Sequence, residues 1–236
     1  MKNIKGIIFD YGGTIDNGGD HWAVTIREAY RTLPIPELPL ELFCQGYVFA
    51  ERELARVRHI LPEHNFRDMM EIKARLELEE LVRSGAPVGY GDIPAYAAAI
   101  AAFTDRRAHA CVREAIPTLD RLAARYPMVL VSNFYGNIGA VLREYGIDFY
   151  FHNVIESAVV GVRKPDPAIF RLGIDALGLK PDEVLVVGDS VSKDIVPARS
   201  IGCETAWIEG KPWFFDKPAN APGIHIKKLS ELTDLL

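Results

Sequence analysis

The sequence predicts an α/β fold: a Rossmann-like parallel sheet core with helices on both faces, plus an inserted all-helical cap. Three observations predict it. Ile7-Ile8-Phe9, Val129-Leu130-Val131 and Val184-Leu185-Val186-Val187 are short continuous apolar runs, the pattern of strands buried on both faces. Each run stops abruptly at polar or glycine residues, so each strand enters a turn: Asp10 to Gly13, Ser132-Asn133, and Gly188-Asp189. Between the first two runs, residues 17–108 carry helical periodicity and no apolar strand run.

The first strand delivers Asp10 to its carboxyl end, the edge at which ligands bind in open α/β sheets. The following segment reads as helices broken at Pro34-Ile35-Pro36, Pro62, Gly85-Ala86-Pro87 and Gly89-Tyr90-Gly91. Leu42, Phe43, Val48, Phe49, Leu54 and Val57 form one apolar stripe, and Met69, Ile72, Leu76 and Leu81 another; such stripes usually pack a core. Tyr96 to Phe103 reads as a helix of small residues that permits close packing. The predicted division is a core of residues 1–16 and 109–236, with residues 17–108 as the cap. Core helices are predicted over Pro117 to Arg125, Asn137 to Tyr145 and Pro167 to Leu177. The last has Asp166 as N-cap, Pro167 in its first turn and Gly178 at its exit. A further strand is predicted at Glu204 to Ile208, then Ile224-His225-Ile226 and a closing helix from Leu229 to Leu236.

Composition narrows the partners. A net charge of −5 without a basic stripe predicts no nucleic-acid partner. No apolar stretch of membrane length predicts no membrane partner, and the first motif begins too early to follow a signal peptide. Three scattered cysteines, Cys44, Cys111 and Cys203, suit neither a disulfide framework nor a zinc site and point to a reducing, cytoplasmic location. The six histidines show no metal-ligand spacing; His59 and His64 are expected to face solvent, and His21 to lie near the mouth of a site.

Taken singly, Asp10 or Asp189 would be a turn former, Ser132 a loop start, Lys164 an exposed lysine and Asp194 a first-turn acid. Their order changes the reading. Asp10 with Thr14, then Ser132, then Lys164 before a helix, then Gly188-Asp189 with Asp194 five residues on, resembles the haloacid dehalogenase-like (HAD) hydrolase superfamily along the whole chain. The resemblance implies a phosphatase of small phosphorylated metabolites, working through a phospho-Asp10 intermediate. It implies Mg²⁺ held by Asp10, Asp189 and the backbone carbonyl of Gly12, with Asp194 ligating the ion or a water on it. Ser132, Asn133 and Lys164 would hold the phosphoryl oxygens, Lys164 also offsetting the charge of the nucleophile. Charge makes the same demand, because gathered carboxylates repel one another and a hard cation relieves them.

One position departs from the family pattern. Most phosphatases of the family carry an aspartate two residues after the nucleophile, as general acid and base; here that residue is Gly12. The carbonyl survives the change, but the proton-transfer group does not, and such groups contribute about 10²–10⁴-fold. Asp16, Asp20 and His21 are candidate substitutes, with Asp16 better suited to a hinge. Glycine here also suits a Gly12-Gly13 turn needing positive φ. The alternative function is therefore a low-turnover phosphometabolite-binding or regulatory protein on the same scaffold. Metal-free dehalogenation fits poorly with both Asp189 and Asp194 present. The phosphonate-cleaving branch uses a cap lysine to form an imine; the cap's single lysine, Lys73, reads as part of a solvated helix face. Trp22, Arg27, Tyr47, Arg52 and Arg56 are the cap residues with the chemistry to face a substrate.

Overall fold

The computed structural model describes residues 3–215 and 221–236. Strand β1 (Gly6–Phe9) leads into the helical insertion α1 (Trp22–Tyr30), α2 (Leu40–Arg56), α3 (Phe66–Arg83) and α4 (Ile93–Ala123). The chain then alternates β2 (Met128–Ser132), α5 (Ile138–Glu144), β3 (Asn153–Glu156), α6 (Ser157–Val160) and α7 (Ala168–Leu177). It closes with β4 (Val184–Gly188), a wide helical turn over Val191–Ile195, α8 (Val196–Ser200), β5 (Glu204–Ile208), β6 (Ile224–Ile226) and α9 (Leu232–Leu235).

The six strands form one sheet in the order β3-β2-β1-β4-β5-β6, every described pairing parallel. Parallel strands need crossovers, which put helices on both faces and bury the strands on both sides. Alternation along each strand sorts the side chains. Ile7, Phe9, Leu130, Leu185 and Val187 join the large core shared with the insertion, while Ile8, Val129, Val131 and Val186 pack with Ile169, Phe170 and Ile174 of α7. Each such side chain contributes about 1.5–3 kcal/mol when fully buried.

Strand order reverses at β1, which pairs with β2 on one side and β4 on the other. Crossovers leaving β1's neighbours in opposite directions open a crevice at the carboxyl ends of these three strands. Phe9 registers with Leu130 and with Val187, so Asp10, Ser132 and the Gly188-Asp189 turn emerge side by side.

Two elements differ from the sequence reading. The helices expected at Tyr96 to Phe103 and from Pro117 are one helix of 31 residues, α4, and residue 108 lies within it. Pro117 is tolerated because it sits on the exposed side, where water can serve the Arg113 carbonyl deprived of its usual donor. Strand β3, absent from the sequence reading, is a short edge strand with exposed Asn153 at its start, too brief and too polar to register as an apolar run. Helix α7 starts one residue later than expected, with Pro167 as N-cap; the Asp166 carboxylate still accepts from the Ala168 N–H at 2.9 Å, and Gly178 ends the helix at φ 65°.

Candidate functional site

The crevice gathers the sequence-predicted acids and the lysine. Asp10 Oδ1 receives the Lys164 ammonium at 2.5 Å and the Ser132 hydroxyl at 3.1 Å. Lys164 Nζ also donates to Asp194 Oδ1 at 2.6 Å, while the Ser190 N–H donates to Asp194 Oδ2 at 3.0 Å. The Thr14 hydroxyl lies 3.0 Å from Asp10 Oδ2 and 3.2 Å from Asp189 Oδ1, one proton shared between two acids. The Trp207 indole N–H donates to the Asp189 carbonyl at 2.8 Å and fixes that turn from β5.

One ammonium thus faces three carboxylates whose ligand atoms lie within 4.8 Å of one another. Burial, then repulsion from Asp10 and Asp194, holds the Asp189 pKa well above the ordinary carboxylate range. Burial also raises Asp194, with Lys164 opposing it. Burial works against the Lys164 charge, but Asp10 and Asp194 outweigh it and raise its pKa above the usual lysine value. Among the described residues, no hydrogen bond reaches Asp189 Oδ2. Two carboxylates beyond what Lys164 neutralises, one with an open oxygen, form a donor set suited to a hard divalent cation.

The Asn133 side chain is engaged with the backbone of Lys164. Its side-chain N–H donates to the Lys164 carbonyl at 3.0 Å and its side-chain oxygen accepts the Lys164 N–H at 2.9 Å. The amide clamps the backbone that carries Lys164, so its side chain is engaged there.

The Gly12-Gly13 turn divides its labour. Gly13 has φ 96°, and a Cβ there would lie 2.6 Å from Asp189 Oδ2, so conformation and space both demand glycine. Gly12 is not among the positive-φ residues, and a Cβ there would meet nothing within 4 Å. Of the three substitute acids, Asp20 accepts the Lys211 N–H at 2.8 Å, a structural tie. His21 caps α1 by accepting the Ala23 N–H at 3.2 Å, and burial lowers its pKa to about 4. Asp16 is fully buried; its Oδ1 accepts from the Gly13 N–H at 2.7 Å and the Trp22 indole at 3.0 Å. Its Oδ2 has no partner among the described residues, and burial pushes its pKa up to about 8.

A cavity of about 940 Å³ rises from this crevice to the helical insertion, lined by Asp10, Gly12, Ser132, Lys164, Asp189 and Asp194 at its floor. Trp22, Tyr47 and Arg56 line it as their chemistry suggested, whereas Arg27 lies over the Phe214 ring instead. Lys73 corrects the sequence reading outright. It is 3 % exposed, paired with Glu51, with its ammonium 4.2 Å from the centre of the Tyr47 ring. Phe66, Met70, Lys73, Glu77 and Leu81 follow one another at helical spacing on α3, all buried, so the basic residue sits on the apolar stripe with an acid one turn on. That placement was the available signal.

The family model of haloacid dehalogenase-like hydrolases matches residues 4–202. The chain belongs to that family. It aligns with enzymes named as phosphatases. It is 34 % identical to phosphoserine phosphatase of Thermus thermophilus over 89 residues, 37 % of this chain and 34 % of that one. It is 37 % identical to glyceraldehyde 3-phosphate phosphatase of Methanopyrus kandleri over 94 residues, 39 % of this chain and 40 % of that one. These matches thus span about a third to two fifths of those relatives. Over its whole length it is 25 % identical to 5-amino-6-(5-phospho-D-ribitylamino)uracil phosphatase YigB of Escherichia coli, covering 98 % of it. The fold matches the HAD-hydrolase YfnB of Bacillus subtilis bound to magnesium, with TM-score 0.63, 20 % identity and 99 % of each chain covered. The protein is a HAD-like hydrolase with phosphatase relatives, and among the described residues no helix is long and apolar enough to cross a membrane.

Proposed function

We propose that this hydrolase is a Mg²⁺-dependent phosphatase of small phosphorylated metabolites, with Asp10 as nucleophile. The observation that carries the reading is the floor of the cavity: three clustered carboxylates from β1 and β4 around one buried ammonium. Asp10, Asp189, Asp194 and the Gly12 carbonyl would hold Mg²⁺, which would neutralise charge on the phosphoryl oxygens and on the acids themselves. YfnB, bound to magnesium, has the same fold.

The residues divide the remaining work. Lys164 and Thr14 orient the Asp10 carboxylate. Ser132, one hydrogen bond from Asp10 Oδ1, is placed to donate to a phosphoryl oxygen, and Lys164 supplies positive charge beside it. Asn133 is a positioning residue that fixes Lys164. An Asp10 oxygen forms a bond to phosphorus while the ester oxygen leaves with the bonding pair as an anion, to be protonated by solvent water. Water then attacks the phosphorus of phospho-Asp10, releasing inorganic phosphate and restoring the carboxylate. Gly12 supplies no proton, so leaving groups that depart as stable anions suit the site best. The helices over the cavity, α1 to α3 with the first half of α4, act as the cap that excludes water and reads the leaving group.

The test is a panel of aryl, acyl and alkyl phosphates with Mg²⁺, scored for phosphate release and for thermal shift. Release that disappears on chelation supports the reading. Thermal stabilisation by phosphate esters without release would instead support the low-turnover binding protein, for which Gly12 is the motive.

A further inference from the structure

A phosphoryl group fills only a small part of a cavity of about 940 Å³, so the phosphatase reading, on which this inference rests, leaves a second region to be assigned. Its upper wall holds a charged group unused by the chemistry below. Glu51 of α2 and Lys73 of α3 form an ion pair there, joined by Tyr135 from the loop after β2, whose hydroxyl donates to Glu51 Oε1 at 2.9 Å. The pair is not symmetric toward the cavity. The Glu51 side chain is 34 % exposed and that of Lys73 is 4 %. The lysine stands behind the acid, its ammonium engaged by Glu51 Oε1 and the Tyr47 ring face. Among the described residues, no hydrogen bond reaches Glu51 Oε2.

We propose that Glu51 Oε2 is the group by which the cap reads the leaving group, and that this group is a donor of hydrogen bonds, a polyol or an amine, not a second anion. Glu51 Oε2 is open to the cavity, where a substrate hydroxyl or ammonium can take the place of water as its donor. Burial works against ionisation of Glu51, but Lys73 outweighs it and holds the carboxyl below its ordinary value, so the acceptor is charged at neutral pH. Charge-assisted bonds of this kind are the stronger ones. The Tyr135 oxygen, its proton given to Glu51, accepts from a neighbouring hydroxyl of the same ligand. Lys73 is a positioning residue: it fixes the Glu51 charge and orientation. Lys193 of the core lies within electrostatic reach of Glu51 and of His21 but forms no ion pair with either among the described residues. Arg56, Arg58 and Arg163 also line the cavity, Arg56 paired with Glu53, and with Lys193 they are the groups that would favour a second anion.

The experiment compares wild type with Glu51→Gln on three esters: erythritol 4-phosphate, rich in donors; phenyl phosphate, with none beyond the phosphoryl group; and 2-phosphoglycolate, with a second anion. Taking variant over wild type for each ester cancels leaving-group acidity. The expected result is a loss of about 10–100-fold in kcat/KM for erythritol 4-phosphate, mostly in KM. Phenyl phosphate should change less than about threefold, and 2-phosphoglycolate should improve. If Glu51→Gln does not fold, Glu51→Leu/Lys73→Met removes both charges together and leaves no lone buried ammonium; phenyl phosphate turnover then reports that the site is intact. Equal losses on erythritol 4-phosphate and phenyl phosphate, or none on either, overturn the inference alone. So does a wild type that prefers 2-phosphoglycolate, which would assign the region to Lys193 and the cavity's arginines. A wild type that releases phosphate from none of the three overturns the phosphatase reading and this inference with it.

Discussion

Replacing Gly12 by aspartate should return to the site the proton donor that it lacks. The backbone permits it: Gly12 lies outside the positive-φ residues and its Cβ position is open for 4 Å around. The turn's need for glycine falls on Gly13, so the substitution should leave folding stability within about 1 kcal/mol. A new carboxyl there would line the cavity with Asp10, Asp189 and Asp194, whose charges Lys164 and a bound divalent cation offset. Partial burial at the cavity floor would then be what raises its pKa toward the range where a general acid works best. The gain should appear only where the leaving group needs a proton, with a ceiling of about 10²–10⁴-fold, or about 3–5 kcal/mol of barrier. The assay is kcat/KM for an alkyl and an aryl phosphate, at saturating Mg²⁺, in wild type and Gly12→Asp. Wild type should favour the aryl ester strongly, and the variant should narrow that ratio by raising the alkyl rate. A uniform loss on both esters, with the fold retained, refutes the reasoning, because it would mean that the carboxyl disturbs the site without donating a proton.

Asp10→Asn should lower phosphate release by at least about 10³-fold while far-ultraviolet circular dichroism stays unchanged, since Lys164 keeps Asp194 as partner; near-wild-type turnover would remove Asp10 from the chemistry. Asp189→Asn should raise the Mg²⁺ concentration for half-maximal activity roughly tenfold, and an unchanged titration would exclude Asp189 as a ligand. Gly13→Ala should cost about 1–3 kcal/mol in urea unfolding, from φ 96° and the Cβ overlap with Asp189. Asp16 has a folded pKa raised from 3.8 to about 8, so its folded state holds a proton that the unfolded chain releases above pH 4. Stability from this group is therefore lost as pH rises from 4 to 8, at up to about 1.4 kcal/mol per pH unit. Asp16→Asn, which cannot ionise, should flatten that slope in chemical unfolding at pH 5, 6.5 and 8; equal slopes would show that Asp16 is charged in the folded protein.

The floor of the site was legible because its parts hang on the strongest local signals. Asp10, Ser132 and Asp189 follow apolar runs whose parallel pairing places them side by side. The engagement of the Asn133 amide with the Lys164 backbone was not legible, because sequence marks only that Asn133 follows Ser132. Lys73 was misread because charge was weighed before position. A lysine among acids suggests a wet face, yet its α3 neighbours at helical spacing are Phe66, Met70 and Leu81. Glu51 and Tyr135 lie 84 positions apart, and only the packing of the insertion on the core brings them to one hydrogen bond.

Helix α4 has a mechanical consequence. Its 31 residues make a rod of about 46 Å, with one end packed in the insertion and the other running toward β2. Of the two strands of chain joining insertion to core, one is a loop before α1 and the other is this rod. The insertion is therefore tethered as a lever is to its shaft, not hung from two strings. Movement of the insertion against the sheet has to pass through this shaft or the short turn between Ala123 and Met128, and Pro117, where one backbone hydrogen bond is missing, is the natural point for the shaft to bend.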